Sequence, residues 1–204
     1  MKKLVSFLSL VLLAGATVGC NKTTAKEWSW KDAISDGELG YAILVGEDGN
    51  PEAEDRTKGC VDALNSIAAE GGFKAKELTR VTCTDTTGSW NDAFAKVQVE
   101  TWVKKYKGKL DFIVSNNDGM AIAASNATGL LKGTPIVGFD ALGTACDRIK
   151  KGTLAGSVSQ NGDDQALATA LVLANRVKGT NPVISANYGG RASLNLDELN
   201  SHVI

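Results

Sequence analysis

From Tyr41 onward, short apolar runs alternate with longer stretches in which apolar residues recur at helical spacing. Tyr41 to Val45 is a brief apolar run closed by a Gly-rich turn and predicts a buried strand. Pro51 suits the first turn of a helix, and an amphipathic helix is predicted from there to about Glu70. Lys76 to Thr82 reads as a second strand. Asn91 to Tyr106 places Ala95, Val99, Trp102, Val103 and Tyr106 on one helical face. Asp111 to Ser115 predicts a strand and Asp118 to Leu131 an Ala-rich helix. Pro135 to Phe139 predicts a strand, Leu142 to Lys151 a helix and Leu154 to Val158 a strand.

Strands that alternate with helices in this way require a parallel sheet covered by helices on both faces. The expected fold is therefore α/β, a three-layer, doubly wound parallel sheet. The remaining segments are less regular. A helix from about Asp163 to Lys178 contains ALATALVLA at Ala166 to Ala174 and is apolar nearly all round, so it expects cover on more than one side. Val183 to Ala186 and Ala192 to Leu196 read as short strands.

The N-terminus has a different character. Lys2 and Lys3 precede an uncharged, mostly apolar run from Leu4 to Gly15, and small residues continue to Cys20. This is the pattern of an export signal, too short to span a bilayer as a mature helix. Thr17-Val18-Gly19-Cys20 resembles a lipoprotein signal, which would lipidate Cys20 and hold the protein at the membrane. Cleavage after Ala14-Gly15-Ala16 is the alternative and would release a soluble chain. Residues 1–20 are thus expected as signal, and 21–39 as a polar tether followed by a loop. Residues 40–160 would form the main domain, and 161–204 a further helix with terminal strands.

Composition narrows the function. Hydrophobic residues make up 43% of the 204, enough for a packed core, and 22 basic residues nearly balance 23 acidic ones. Without a basic block, nucleic acid is not an expected partner. Cys60, Cys83 and Cys146 are odd in number, so at least one thiol stays unpaired in a monomer. Cys60 shares a helical stripe with Val61, Leu64 and Ala68, which predicts a small buried apolar role.

In open parallel sheets, ligands bind beyond the carboxyl ends of the strands. Those ends carry Asn50, Glu52 and Arg56 after the first strand, and Trp90 after the second. Asn116-Asn117-Asp118 follow the third, Asp140 the fourth, and Gln160-Asn161 the fifth. Planar polar side chains pair well with adjacent hydroxyls, and an indole stacks on the C–H face of a pyranose, so a sugar suits this set. The same Asx residues also suit helix caps: Asn117 or Asp118 for one helix, Asp140 for the next. Trp102 falls in an apolar stripe and is expected in the core, whereas Trp90 does not.

Catalysis has little support. His202 is the sole histidine, and the chain lacks a nucleophile elbow, a phosphate-binding loop and a zinc-protease motif. Glu52 and Asp140 are expected to stay ionised beside Arg and Asn, which suits binding hydroxyls and not acid catalysis.

These residues lie in longer runs: GEDGNPEAEDRTKG, SWNDAFAKVQVETWV, DFIVSNNDGMAIAA, TPIVGFDALG and KKGTLAGSVSQNGDDQALAT. Together, over about Asp32 to Lys178, the chain resembles the periplasmic galactose/glucose-binding proteins of ABC importers. The resemblance implies one lobe of a type I periplasmic-binding fold, a monosaccharide ligand and a membrane permease as partner. It implies sugar contacts at Asn50, Glu52, Arg56, Trp90, Asn117, Asp140 and Gln160. Asn50 replaces the family's His, Glu52 its Asp and Gln160 its Asn, so the preferred sugar is left open.

The family also holds calcium in a loop, which here corresponds to Asp32 to Gly40 with Asp111. Asp32, Asp36, Glu38 and Asp111 are the candidate ligands, but Ile34 and Gly40 lack side-chain oxygens. A turn that needs no ion is expected, and no cofactor is required. The resemblance implies that the family's other lobe precedes the stretch that starts here near Asp32, and that the 163–178 helix belongs to that lobe. The chain is accordingly expected to bind sugar with one lobe or to borrow a second. The alternatives are a remnant acting as an interaction module, self-associating through residues 166–174, or a sugar sensor for a membrane receptor.

Overall fold

In the computed structural model, residues 27–160 and 162–179 are described. The chain enters through α1 (Trp30–Ala33) and β1 (Glu38–Val45), then α2 (Pro51–Gly71) and β2 (Lys74–Thr82). It continues through α3 (Asp92–Tyr106), β3 (Phe112–Ser115), α4 (Asp118–Ser125) and β4 (Ile136–Phe139). It then forms α5 (Gly143–Lys150), β5 (Gly156–Val158) and α6 (Gly162–Val177). The strands pair in parallel in the order β2-β1-β3-β4-β5. This is the α/β arrangement expected from the sequence.

β1 shows why the sheet needs two covering layers. Ala42 and Leu44 pack with Ala95, Val99 and Trp102 of α3 and with Met120 and Ala124 of α4. Tyr41 and Ile43 point to the other face, where Val114 and the α2 residues Cys60, Val61 and Leu64 meet them. Successive strand residues face opposite sides, so a central strand covered on both faces must be apolar throughout. Trp102 lies in the core, as its stripe predicts, while Cys60 is only half-buried.

Several boundaries move for identifiable reasons. β1 begins at Glu38 and β2 at Lys74, earlier than hydrophobicity suggested, because backbone pairing extends past the apolar residues. α4 ends at Ser125, well short of Leu131. There the Asn126 side chain donates to the Ile122 carbonyl at 3.0 Å, and the Asn126 backbone N–H turns back to Ala123. An Asn that bonds its own preceding turn competes with helix continuation. β5 starts at Gly156, although Leu154 ahead of it is buried in the core.

The expected tether is partly fixed. Trp28 donates its backbone N–H to the Lys132 carbonyl at 2.9 Å, and Glu27 pairs with the Lys132 ammonium. The Trp30 ring meets Trp28 and Phe73 edge to face. Residues from Glu27 on therefore pack against the lobe. The expected strands at 183–186 and 192–196 lie outside the described residues.

Candidate sugar site at the strand ends

The switch in strand order lies between β1 and β3, and their carboxyl ends open beside α2 and α4. Arg56, one turn into α2, is buried with 9% of its surface exposed. Its Nη1 donates to the Asn116 carbonyl at 2.6 Å, and its Nη2 donates to Glu52 Oε1 at 2.6 Å. Asp140 Oδ1 lies 3.3 Å from the same Nη2. The guanidinium carbon sits 5.7 Å from the centre of the Trp90 ring and 5.2 Å from that of Phe139. Both distances fall within the range of cation–π attraction.

Gln160 arrives from the end of β5 and closes the group. Its Nε2 donates to Glu52 Oε1 at 2.7 Å and to Asp140 Oδ1 at 3.1 Å. Five of the residues named from the sequence, Glu52, Arg56, Trp90, Asp140 and Gln160, are thereby linked directly or through Arg56. Asn50 and Asn117 each also cap a helix. Asn50 caps α2, its Oδ1 accepting from the Glu52 and Ala53 amides, and its Nδ2 donates to Glu47. Asn117 caps α4 through the Met120 amide. Asp140 does not cap α5, whose N-terminus has no side-chain cap.

Backbone geometry sets the site apart. Trp90 has φ +58°, Asp140 +106° and its neighbour Ala141 +52°, a region costly for residues with a side chain. Trp90 is held by contact with a glycine: a Cβ on Gly46 would lie 2.1 Å from the indole. Only a residue without a side chain lets the ring lie on the backbone at the end of β1.

Burial raises the Asp140 pKa, Arg56 lowers it in part, and the charges of Asp118 and Glu52 raise it further. Burial thus outweighs the guanidinium, and the net shift of Asp140 is upward. The buried Cys83 thiol is pushed up to about 12, first by burial and then by Asp92, and burial also raises Cys60. The strand-end pattern names Asn116 but does not single out Phe139. Phe139 closes the predicted strand Pro135 to Phe139, and its place directly before Asp140 puts an aromatic ring at the strand end.

The loop residues Asp32, Asp36, Glu38 and Asp111 line one cavity of about 230 Å³ together with Lys76 and Lys109. Glu38 is paired with Lys76 at 2.8 Å, and Asp111 Oδ2 accepts from the Gly40 amide at 2.9 Å. Among the described residues no three acidic, His or Cys side chains gather closely enough to hold a metal. This set does not fit a calcium ion, which needs six to eight oxygens. Cys20 and His202 lie outside the described residues.

A model of the periplasmic binding protein domain matches residues 25–181. The chain belongs to the periplasmic binding protein family. It is 37% identical over 160 residues to the D-galactose/methyl-galactoside binding periplasmic protein of Haemophilus influenzae, covering 76% of this chain and 46% of that one. A solved structure from Shewanella sp. ANA-3, the periplasmic binding component of an arabinose ABC transporter bound to L-arabinofuranose, is 25% identical with TM-score 0.51. It covers 65% of this chain and 42% of its own. A galactofuranose binding protein matches the fold with TM-score 0.59 at 19% identity, over 74% of this chain and 50% of the other. This family member thus spans about half or less of the length of the relatives it matches.

Proposed function

We propose that this chain binds a monosaccharide of the glucose or galactose type outside the cytoplasm and delivers it to the permease of an ABC importer. The observation that carries the reading is the cluster at the strand ends. A forked cation, two carboxylates and an amide stand within hydrogen-bonding distance of one another beside the Trp90 ring. These groups satisfy each other, and a sugar's paired hydroxyls offer the same donors and acceptors. Trp90 and Phe139 supply the apolar surface a sugar ring needs. The galactoside relative and the arabinofuranose-bound structure support a sugar as ligand. The N-terminal signal supports export, with Cys20 as the lipid anchor.

Titration of the purified chain with glucose, galactose and ribose, followed by tryptophan fluorescence, tests the reading. A saturable change that disappears in Trp90→Phe is expected. A folded protein that responds to none of these sugars would remove it.

One observation favours a second reading. Leu173 and Val177, one turn apart on α6, are 61% and 87% exposed. Apolar side chains presented in this way seek cover, so α6 is a candidate surface for self-association or for another lobe. Sedimentation velocity separates the two readings: a concentration-dependent dimer lost in Leu173→Lys favours the interaction module, and a strict monomer counts against it.

A further inference from the structure

Asp118 is fully buried at the start of α4, yet its side chain does not cap that helix; Asn117 does. Its carboxylate reaches across to the corner between β4 and α5. Oδ2 accepts the Leu142 backbone N–H at 2.8 Å, and Oδ1 accepts the Ser157 hydroxyl at 2.7 Å. Ser157 Oγ in turn accepts the Ala141 N–H at 3.0 Å, and the Asp140 N–H donates to the Val158 carbonyl at 2.8 Å. All three amides of the corner are therefore tied down, two of them through one carboxylate.

This corner has something to hold. Asp140 and Ala141 both adopt positive φ, a conformation that residues with side chains leave unless their surroundings fix it. The same turn delivers the Asp140 carboxylate to Arg56 at 3.3 Å. The fold also makes room for Asp118. A Cβ at Gly138 would stand 2.3 Å from Asp118 Oδ1, so the strand beneath must present a glycine there.

We infer that Asp118 is the positioning residue of the site: acting directly on Leu142, and through Ser157 on Ala141, it fixes the strained corner that aims Asp140 at Arg56 and the ligand. The inference rests on the sugar-binding reading for its ligand but not for its anchoring geometry. A buried acceptor serving two donors is costly to delete, because the Leu142 amide and the Ser157 hydroxyl both lose their partner. The support it gives lies one bond behind the ligand contact, where a misplacement of a fraction of an ångström weakens binding.

Two measurements on the purified chain test it: hydrogen exchange at the Ala141 and Leu142 amides without ligand, and calorimetric titration with galactose. In Asp118→Ala, exchange at both amides is expected to rise by about tenfold or more while Val99 in α3 keeps its rate, and galactose binding to weaken by about tenfold or more. Asp118→Asn keeps an oxygen for Leu142 and an amide that can donate to Ser157, so it is expected to restore most of the affinity. Unchanged exchange at Ala141 and Leu142 in Asp118→Ala overturns the inference, as does looser exchange with wild-type affinity. If wild-type protein gives no heat with any hexose, the sugar reading fails, and the amide rates by themselves decide the anchoring. Should Asp118→Ala not fold, Ser157→Ala removes only the bridging hydroxyl and is expected to loosen Ala141 more than Leu142.

Discussion

Arg56 in the second turn of α2 donates to the backbone carbonyl of Asn116, 60 residues further along the chain, at 2.6 Å. This bond joins the first and third strand ends, and it leaves the rest of the guanidinium to face Glu52, Asp140 and the two rings. Asn116 is itself fixed: its Oδ1 accepts the Gly46 amide at 3.1 Å, and its Nδ2 donates to Thr57 at 3.0 Å. The cation at the centre of the site is therefore held by the scaffold itself.

Replacing that cation is expected to affect both stability and binding. Arg56→Ala leaves the Asn116 carbonyl without its Arg56 donor and the Asp140 carboxylate without its cation, a loss of about 1–3 kcal/mol in unfolding free energy. Hexose affinity should fall by about tenfold or more. Arg56→Lys, a point charge without the fork, is expected to recover stability better than affinity. Urea denaturation and fluorescence titration measure the two effects separately, and undiminished sugar binding in Arg56→Ala would refute the site assignment.

Asp140 gives a pH signature. Its folded pKa is raised above the ordinary 3.8, with burial the main cause, so the folded state holds its proton more tightly than the unfolded chain does. Stability linked to this group is therefore greatest in acid and is lost as pH rises from about 3.8 through the folded value. Asp140→Asn removes the titration. Relative to wild type, the variant is expected to gain stability as pH rises across that window and to keep the gain at neutral pH, while losing sugar affinity. Thermal melts of both proteins at several pH values check the sign, and a relative loss on raising pH would contradict it.

Gly46→Ala tests the seat of Trp90. The added methyl would stand 2.1 Å from the indole, so the ring must leave the β1 end. Overpacking of this kind costs about 1–3 kcal/mol. The expected result is a lower melting temperature, altered tryptophan emission and loss of the sugar-dependent fluorescence change. Normal emission with intact titration would mean that the ring does not rest on Gly46.

Cys83 should be the last of the three described thiols to react. It is fully buried with its thiol pushed up to about 12, whereas Cys60 and Cys146 are half-buried. Reactivity follows the accessible thiolate fraction. Brief alkylation of the native protein at pH 8 followed by peptide mass spectrometry is expected to label Cys60 and Cys146 ahead of Cys83. Early labelling of Cys83 would show that the α3 face of the core opens readily.

Much of this was legible in the residue order because its causes are local. A strand covered on both faces must be apolar, so Tyr41 to Val45 announced β1; Pro51 marked the first turn of α2; Trp102 kept its place in a stripe of spaced apolar residues. Strand–helix alternation then admits few arrangements other than a parallel sheet with its ligand side at the strand ends. That rule selects Glu52, Arg56, Trp90, Asp140 and Gln160 from their places after the strands. The order of residues could not divide their neighbours by task. Asn50 and Asn117 have the chemistry of ligand groups and also cap helices, because whether an Asx side chain turns to its own helix depends on backbone angles. Asp118 looked like one more cap, and only the packing of α4 against β4 and β5 turns its carboxylate toward the Asp140 corner. Phe139 reads as strand filling until α2 brings Arg56 over its ring. Which residues are strongly polar or apolar, and at what spacing, is written along the chain; which of them meet depends on distances that close only when five strands lie side by side.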